Sequence, residues 1–582
     1  MTMKLNKILM ASAVVFAAVA FTGCIKEVFP KESAITESQL AESSAGMEAM
    51  MKSVPAAMAA RVAASYEHSD FGYHSVGLNK DHHAMIMFPC ARPDRGGNPY
   101  YSRLQAPNYG FDMGTNGGYT HYIWYNFYPF IKKANDIIAA CGEDESMVEF
   151  RAIARTFRAL FYLELVGYYD SLPAKAPQLP TYEADLAEVM GLTVPIVTET
   201  TTESDAKNNP RATREEMFKF IFEDLTYAME TMKSFEEDAD FVPTIYGTTP
   251  TYPQLSAVYG LLARAYMWLG GFEEGLYSNN VEENMIVTGK AAYAEALKYA
   301  EASLANSGGT FMTRDQYSSV TNGFNTVVPA WIWATQMSTD TVINNLYAFA
   351  AHVCPEASYG YGPLACVGVG QGMYDRVTFG STDIRKKLIA GPDKTYEQFQ
   401  KYTSMSKSEW EAIQYSAPYL SFKFRPGQGE RVDYMVANAI SLPIMRNEEM
   451  EFIAIEAMLH TGAAIPARDR LVNFVLGNRA DVYIMNETDE AKILDEIIFQ
   501  KSIEFWGEGV ILFDMKRLNM GVNTINQNYP ADMLFEVPET AEYRRLPWWN
   551  IPIPSGETAV NTVNKDVAGP DPSRGLRSQD AI

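Results

Sequence analysis

The sequence predicts a mostly α-helical protein: a tetratricopeptide-like scaffold into which an irregular, loop-rich subdomain with a few short strands is inserted. Two observations lead to this prediction. Amphipathic helical periodicity recurs before residue 310 and returns after residue 440, whereas the stretch between is rich in Gly, Pro, Ser and aromatic residues. The helical segments are spaced too irregularly for a repeat of ~34 residues, so they predict stacked helix pairs without a strict repeat.

The scaffold helices are predicted from apolar positions that recur with the period of an α-helix. Residues 146–169 place aromatic and leucine side chains on one face, and Thr213 and Glu216 form a capping-box pattern ahead of another such row. Segments 255–269 and 291–305 continue the pattern and carry small alanines that allow close helix approach. We therefore expect these segments to pack as neighbouring helices.

The middle of the chain has a different character. Between residues 311 and 440 the helical period is lost, and Trp331-Ile332-Trp333-Ala334 is typical of a strand. Helical periodicity returns at 446–460 and 489–506, and the tail from about residue 520 is Pro-rich and loop-like. The scaffold is therefore predicted to be interrupted in sequence and completed by its last helices.

The N-terminus has the features of a bacterial signal peptide that ends at a lipid-attachment cysteine. Lys4 and Lys7 precede an uncharged, mostly apolar run that is too short to span a bilayer and ends just before Cys24. A small residue directly before Cys24 resembles a lipobox, whose cysteine becomes the new N-terminus and carries acyl chains such as palmitate. Several acyl chains hold a protein stably at a membrane. We expect residues 1–23 to be removed and residues 24–45 to form a lipidated tether.

Composition argues against several classes of function. The chain carries 71 acidic and 48 basic side chains, a net charge of −23, which disfavours nucleic acid as a partner. Seven histidines show no metal-binding spacing, and the cysteines after the anchor, Cys90, Cys141, Cys354 and Cys366, contain no CxxC pair. We therefore expect no catalytic metal and no cofactor. A disulfide between Cys354 and Cys366 is left open by their spacing.

Several separated segments resemble the SusD/RagB family of outer-membrane lipoproteins of Bacteroidetes. The segments are residues 124–135, 154–165 (with an Ala-Arg-x-x-Arg-Ala core), 218–228, 261–266, 446–449 with 456–457, 503–509 followed by 513–517, and 551–554 with 557. The pair Glu508-Gly509 with Asp514-x-x-Arg517 is the most specific of these matches. In this order, and behind a lipobox, the segments cover nearly the whole mature chain.

The resemblance implies a binding protein without catalysis. Members of the family capture a glycan or a peptide outside the cell and sit as a lid on a SusC-like TonB-dependent transporter, which moves the ligand inward. We expect an oligosaccharide ligand, with peptide capture as the alternative, and a lipid-anchored location on the outer membrane that faces the cell exterior. The resemblance divides the chain into an N-terminal helical region (46–310), the irregular subdomain (311–440) and a C-terminal region that completes the scaffold (441–582).

The charged residues of the matching segments have more than one interpretation. Buried ion pairs that lock helices together are the interpretation that we favour for Arg155, Arg158, Glu504, Glu508, Asp514 and Arg517. An exported helical glycosidase is an alternative, which would need two carboxylates ~5–9.5 Å apart across a cleft. A helical-repeat scaffold for protein assembly is a third hypothesis.

Ligand contacts are expected on loops that mix aromatic rings with polar groups, because sugars present C–H faces to rings and hydroxyls to amides or carboxylates. An N-terminal loop meets this condition at Asn98, Tyr100 and Tyr101. A second loop, in the irregular subdomain, meets it at Tyr359 and Tyr361, where neighbouring glycines allow a close backbone approach. The alternative for each loop is ordinary packing or contact with the transporter.

Replacement of Cys24 by Ala tests the lipid anchor. Thioether attachment requires the cysteine sulfur, so the variant should lose its fatty-acid label and leave the membrane for the soluble or precursor fraction. Cell fractionation combined with metabolic fatty-acid labelling measures both effects, and Cys141→Ala is the matched control. A Cys24→Ala protein that keeps its label and its membrane fractionation would contradict the anchor.

Overall fold

The computed structural model describes most of the chain beyond the N-terminal segment. By their internal contacts, residues 1–49 form one unit and residues 50–582 a second. The first unit is described only from residue 44 onward, where a helix begins that continues to residue 59, so all the other elements below belong to the second. The described residues are 44–60, 72–91, 113–177, 179–276, 286–338, 343–346, 348–360, 365–377, 382–416, 419–529, 534 and 536–572.

Helices dominate this part of the chain. In chain order they are α1 (Ser44–Ala59), α2 (Tyr73–His83), α3 (Gly118–Cys141), α4 (Val148–Tyr169), α5 (Tyr182–Ala187), α6 (Glu203–Ala206), α7 (Arg214–Glu237), α8 (Leu255–Gly270), α9 (Lys290–Asn306), α10 (Arg314–Ser318), α11 (Phe349–Val353), α12 (Gln371–Arg376), α13 (Ile384–Lys387), α14 (Tyr396–Phe399), α15 (Lys407–Ser416), α16 (Tyr434–Ala437), α17 (Asn447–His460), α18 (Ala464–Asn478), α19 (Glu490–Glu504), α20 (Ile511–Arg517) and α21 (Ser555–Val560).

The strands are short and form small antiparallel sheets. They are β1 (Met87–Ala91), β2 (Gly275–Leu276), β3 (Val287–Thr288), β4 (Trp331–Gln336), β5 (Ala365–Val369), β6 (Ile389–Ala390), β7 (Leu420–Ser421) and β8 (Ser441–Arg446). One sheet has the order β1-β5-β7-β6, and β2 pairs with β3 and β4 with β8. The β4–β8 pair brings Trp331 opposite Arg446, so it joins the start of the irregular region to its end.

The long helices stack in one continuous series. Helix α3 packs on α4, α4 on α7, α7 on α8, α8 on α9, α9 on α17 and α17 on α18. Helices α9 and α17 are therefore spatial neighbours although residues 307–446 lie between them in sequence. Glycines on α8 allow β8 and α9 to pack closely against it: a Cβ on Gly260 would lie 2.2 Å from Sδ of Met445, and one on Gly270 would lie 2.6 Å from the Tyr293 ring. The predicted tetratricopeptide-like scaffold with an irregular insertion is confirmed.

The predicted local signals are also confirmed. The Thr213 side chain accepts from the Glu216 N–H, and the Glu216 carboxylate accepts from the Thr213 N–H, so the capping box starts α7. The segment from Trp331 forms β4 as predicted. Cys354 is a buried free thiol, so the loop considered between Cys354 and Cys366 is not closed by a disulfide. The strand pairing instead places the backbone of Cys366 opposite that of Cys90.

The core takes up the largest aromatic side chains. All eight tryptophans of the chain are buried, among them Trp124, Trp333 and Trp506. Trp333 packs edge-on against Phe157 of α4, with ring centroids 5.2 Å apart. Within the described ranges, no helix combines the length and apolarity needed to cross a membrane.

A glycine turn after α19 fixes the position of α20. Gly507 and Gly509 both have positive φ, at 84° and 70°. Their N–H groups donate to the buried Asp81 carboxylate at 2.6 and 3.3 Å. Burial raises the pKa of Asp81 to about 7, although these two donors favour its charged form. A Cβ on Gly509 would lie only 2.4 Å from Cα of Gly77, so the turn requires glycine.

Gly509→Ala should therefore lower the free energy of unfolding by about 2–4 kcal/mol, because positive φ strains alanine and its methyl group would collide with the α2 backbone. Gly477→Ala in α18 is the control, since a Cβ there meets nothing within 4 Å. We expect the control to be neutral or to stabilise the protein by up to ~1 kcal/mol. Urea unfolding measures both; equal stability of the two variants would show that the turn does not constrain the fold.

Candidate functional site

The charged residues that stood out in the sequence converge on Glu504, the last residue of α19. Its fully buried carboxylate accepts from Arg479 at 2.8 and 2.7 Å, from Arg446 at 3.1 Å and from Arg385 at 3.4 Å. Burial alone would raise the pKa of Glu504, but these guanidinium groups hold it well below the usual range of a glutamate. A carboxylate fixed in this way is an ion-pair partner and not a proton donor at neutral pH.

The same arginines extend the network to other carboxylates. Arg446 also donates to Glu508 at 2.7 and 2.9 Å, and Arg479 donates to Glu448 at 3.0 Å. Lys423 Nζ donates to the Glu508 carboxylate and also to two main-chain carbonyls. Burial lowers the pKa of Lys423 to about 8, even though Glu508 lies beside it. Each carboxylate of this group therefore has a cationic partner.

Two further clusters show the same arrangement. Arg158 on α4 makes a bidentate pair with Asp224 on α7 at 2.7 and 2.8 Å, and Arg155 approaches the same carboxylate at 3.8 Å. On α20, Asp514 pairs with Arg517 at 2.7 Å and with Lys501. The predicted pairing of Arg155, Arg158, Glu504, Glu508, Asp514 and Arg517 is confirmed, and these residues join helices to one another.

A cavity of about 110 Å³ lies among α2, α4, α8, α17 and α20. Trp268 and Phe513 form part of its wall, and its charged groups are paired across it: Glu164 accepts from Lys80 at 2.6 Å and from Tyr73 at 2.9 Å. The volume is well below the ~300–1,000 Å³ of typical small-molecule sites. It suits a few ordered waters better than an oligosaccharide.

A larger groove of about 460 Å³ lies beside the segment that precedes α19. Its tyrosine, Tyr483, is buried and donates to Glu496 at 2.8 Å. Arg376 on its rim is held by Asp495 at 2.7 Å and by Glu496 at 2.9 Å. Because the ring is covered, the groove offers no aromatic platform for a sugar.

The predicted ligand residues are only partly placed. Asn98, Tyr100, Tyr101 and Tyr361 lie outside the described residues, as does Cys24. Their assignment remains a prediction.

Tyr359 is described, and it is 7% exposed. Its hydroxyl donates to Asn438 Oδ1 at 2.9 Å, and its ring lies 6.1 Å from that of Tyr434. Tyr359 therefore packs inside the subdomain and presents no open ring face, which differs from the exposed role expected for it.

The neighbouring ring of Tyr434 is partly exposed. We define the Tyr434 surface by five residues that share partial or full exposure to solvent: Asn344, Leu346, Val432, Tyr434 and Met435. The Tyr434 hydroxyl donates to Asn344 Oδ1 at 3.0 Å, and the aliphatic side chains at 346, 432 and 435 are 41%, 74% and 40% exposed. The surface thus combines a ring, apolar side chains and an amide, the mixture expected at a sugar site.

Local contacts hold the two segments of this surface together. The Asp433 side chain caps α16 by accepting from the Met435 N–H at 3.1 Å. The Asn438 amide donates to the carbonyls of Ile343 at 3.2 Å and Asn345 at 2.7 Å. Sequence reasoning did not single out Tyr434, because its polar, loop-like sequence does not show which tyrosine of the subdomain is exposed. Asp433 is a typical N-cap residue, so a helix start at Tyr434 could have been predicted.

No protein-family model and no curated protein sequence matches this chain. Solved structures do match. A SusD-like carbohydrate binding protein from Bacteroides vulgatus is 18% identical, with a TM-score of 0.62, and the match covers 89% of this chain and 97% of the other. A SusD superfamily protein from the same species is 14% identical (TM-score 0.62; 90% and 98% covered), and one from Bacteroides thetaiotaomicron is 16% identical (TM-score 0.58; 89% and 97%). These likenesses show the fold, and they confirm the SusD-like architecture predicted from the sequence segments.

Glu508→Gln tests whether the charged network serves stability. The change leaves Arg446 and Lys423 without their full counter-charge in a buried site, which should cost about 3–5 kcal/mol of unfolding free energy. Glu487→Gln is the control, because this side chain is 47% exposed and its pair with Lys492 is loose at 3.5 Å; less than ~0.5 kcal/mol is expected. A Glu508→Gln protein of unchanged stability that has lost a hydrolytic activity would instead favour the glycosidase hypothesis.

Proposed function

We propose that this chain, which has the SusD-like fold, is a cell-surface lipoprotein that binds a nutrient glycan and passes it to a SusC-like TonB-dependent transporter in the outer membrane. The observation that carries the proposal is the extent of the structural likeness. A SusD-like carbohydrate binding protein matches over 97% of its own length. The signal-peptide and lipobox pattern around Cys24 supports a membrane-anchored location.

In this proposal the Tyr434 surface contacts the glycan. The half-buried ring offers one face to the C–H groups of a sugar, and the Asn344 amide beside it can bond hydroxyl groups. Tyr359, Asn345 and the Asn438 amide hold this arrangement from behind, so the surface is formed before a ligand arrives. A surface of this kind binds with little ordering cost.

Binding without catalysis agrees with the way the chain uses its buried carboxylates. Glu504, Glu508 and Asp514 are each held in an ion pair with a buried arginine, and the guanidinium groups around Glu504 keep its pKa well below the usual range of a glutamate. Their energetic role is to join helices. Transport then depends on a partner, as the resemblance to SusD/RagB proteins implies, and the lipid anchor keeps the binder beside that partner.

Tyr434→Ala should weaken glycan binding about tenfold, since loss of one ring contact costs about 1–1.5 kcal/mol. Affinity electrophoresis against a panel of soluble polysaccharides, followed by isothermal titration, measures the loss. Tyr543→Ala is the matched control, because this half-buried tyrosine lies in another part of the chain beside Lys175. Both variants should melt within a few degrees of the wild type.

Other outcomes would redirect the proposal. Equal glycan affinity of the Tyr434→Ala and wild-type proteins would show that the glycan does not bind at this surface. Peptide binding without glycan binding would favour the peptide-capturing alternative, and release of reducing sugars from a bound glycan would favour an enzyme.

A further inference from the structure

We propose that the Tyr434 surface selects uncharged glycans and rejects polyanionic ones, such as uronate-rich or sulfated chains. The inference rests on the proposed function, because it specifies the class of glycan that this site takes. It follows from the carboxylates of the surface and from the pairing of the neighbouring arginine and lysine side chains with other carboxylates.

Two carboxylates belong to the surface's own segment. Glu430 Oε1 accepts from the backbone N–H groups of Val432 at 2.7 Å and Asp433 at 3.1 Å. Asp433 Oδ1 accepts from the Met435 N–H at 3.1 Å. Both side chains are therefore fixed by the backbone segment that carries Tyr434. Asp433 Oδ2 accepts no hydrogen bond within the described part of the chain, and the Arg431 N–H is a further backbone donor to the Glu430 carboxylate.

Glu430 is held in its charged form. The backbone donors hold the pKa of Glu430 below its usual value, because they bond the charged form. Glu409, which lies next to this segment, has a pKa lowered to about 2 by its bonds to Arg431 and Ser406. The negative charges of Glu430 and Glu409 thus persist at neutral pH.

The cation beside this charge is Arg431, which acts on Glu430 but supplies one positive charge against the three carboxylates Glu409, Glu430 and Asp433. The Arg431 guanidinium donates hydrogen bonds to the Glu409 carboxylate at 2.8 and 3.3 Å and to the Glu356 carbonyl at 3.1 Å. Arg425 is fully buried against Glu356 at 2.7 Å, and Lys423 is buried in the Glu508 site. Among the described residues of segments 343–360 and 419–438, these are the only lysine or arginine side chains.

The same groups suit a neutral sugar. A sugar hydroxyl can donate to a free carboxylate oxygen, and hydrogen bonds to charged acceptors are stronger than those to neutral ones. An anionic sugar would instead bring further negative charge to the segment that carries Glu430 and Asp433. Like charges juxtaposed at an interface disfavour the wrong partner, so the surface combines attraction for one class with repulsion of the other.

The test compares one polymer in two charge states. The probes are the neutral polysaccharide that the wild type binds best and the same polymer after partial carboxymethylation, at low salt and at 0.2 M NaCl. We expect at least tenfold weaker binding of the carboxymethylated polymer at low salt, with part of the loss recovered at high salt, because salt screens exposed charges. Glu430→Gln should reduce the ratio of the affinities for the neutral and the carboxymethylated polymer several-fold, whereas Glu487→Gln should leave this ratio unchanged.

The outcomes separate this inference from the proposed function. Equal or tighter binding of the carboxymethylated polymer, or capture of polygalacturonate, alginate or heparin that Tyr434→Ala abolishes, would overturn the selectivity while leaving a glycan-binding protein. Failure to retain any neutral or anionic polysaccharide of the panel would overturn the proposed function itself. A charge preference that is unchanged in Glu430→Gln would place the selection elsewhere on the chain and overturn the inference.

Discussion

The fold depends on one buried carboxylate more than on any other single group. Glu504 accepts from Arg385 of the irregular subdomain, from Arg446 at the end of β8 and from Arg479 just after α18. These segments are far apart in sequence, so the carboxylate joins the insertion to the helical scaffold. Without that acceptor, three buried guanidinium groups would share fewer carboxylates: Arg446 would keep Glu508, Arg479 would keep Glu448 and Arg385 would keep Asp383, so part of their charge would be uncompensated. The continuity of the scaffold across its long insertion rests on this group of ion pairs.

The helical scaffold could be predicted from the sequence because each helix carries its own signals. Segments 255–269 and 291–305 correspond to α8 (Leu255–Gly270) and α9 (Lys290–Asn306) almost residue for residue. The four-stranded sheet could not be predicted, since its strands have two to five residues each and come from separate parts of the chain. Helix α18 was also missed. Its buried face is limited to Ala467, Leu471, Phe474 and Val475, which gives a weak periodic signal.

The candidate site shows a different limit of sequence reasoning. The rule that sugar sites combine rings and amides on loops predicted Tyr359 in the irregular subdomain, whereas the structure buries Tyr359 and leaves its neighbour Tyr434 partly exposed. Both tyrosines belong to polar, loop-like sequence. Which one is covered depends on Asn438, whose side chain accepts from Tyr359 and fastens the segment around Asn345. Exposure of a loop residue is set by such tertiary contacts, and periodicity carries no information about them.

The burial of every tryptophan has a spectroscopic consequence. Indole rings that are shielded from water emit at short wavelength, and their emission changes when the packing around them changes. The Tyr434 surface contains no indole. Ligand titrations followed by selective excitation of tryptophan would therefore stay nearly silent while the site fills, whereas the same signal would report unfolding clearly. Occupancy of this surface has to be followed through tyrosine absorbance, heat or a label on the glycan.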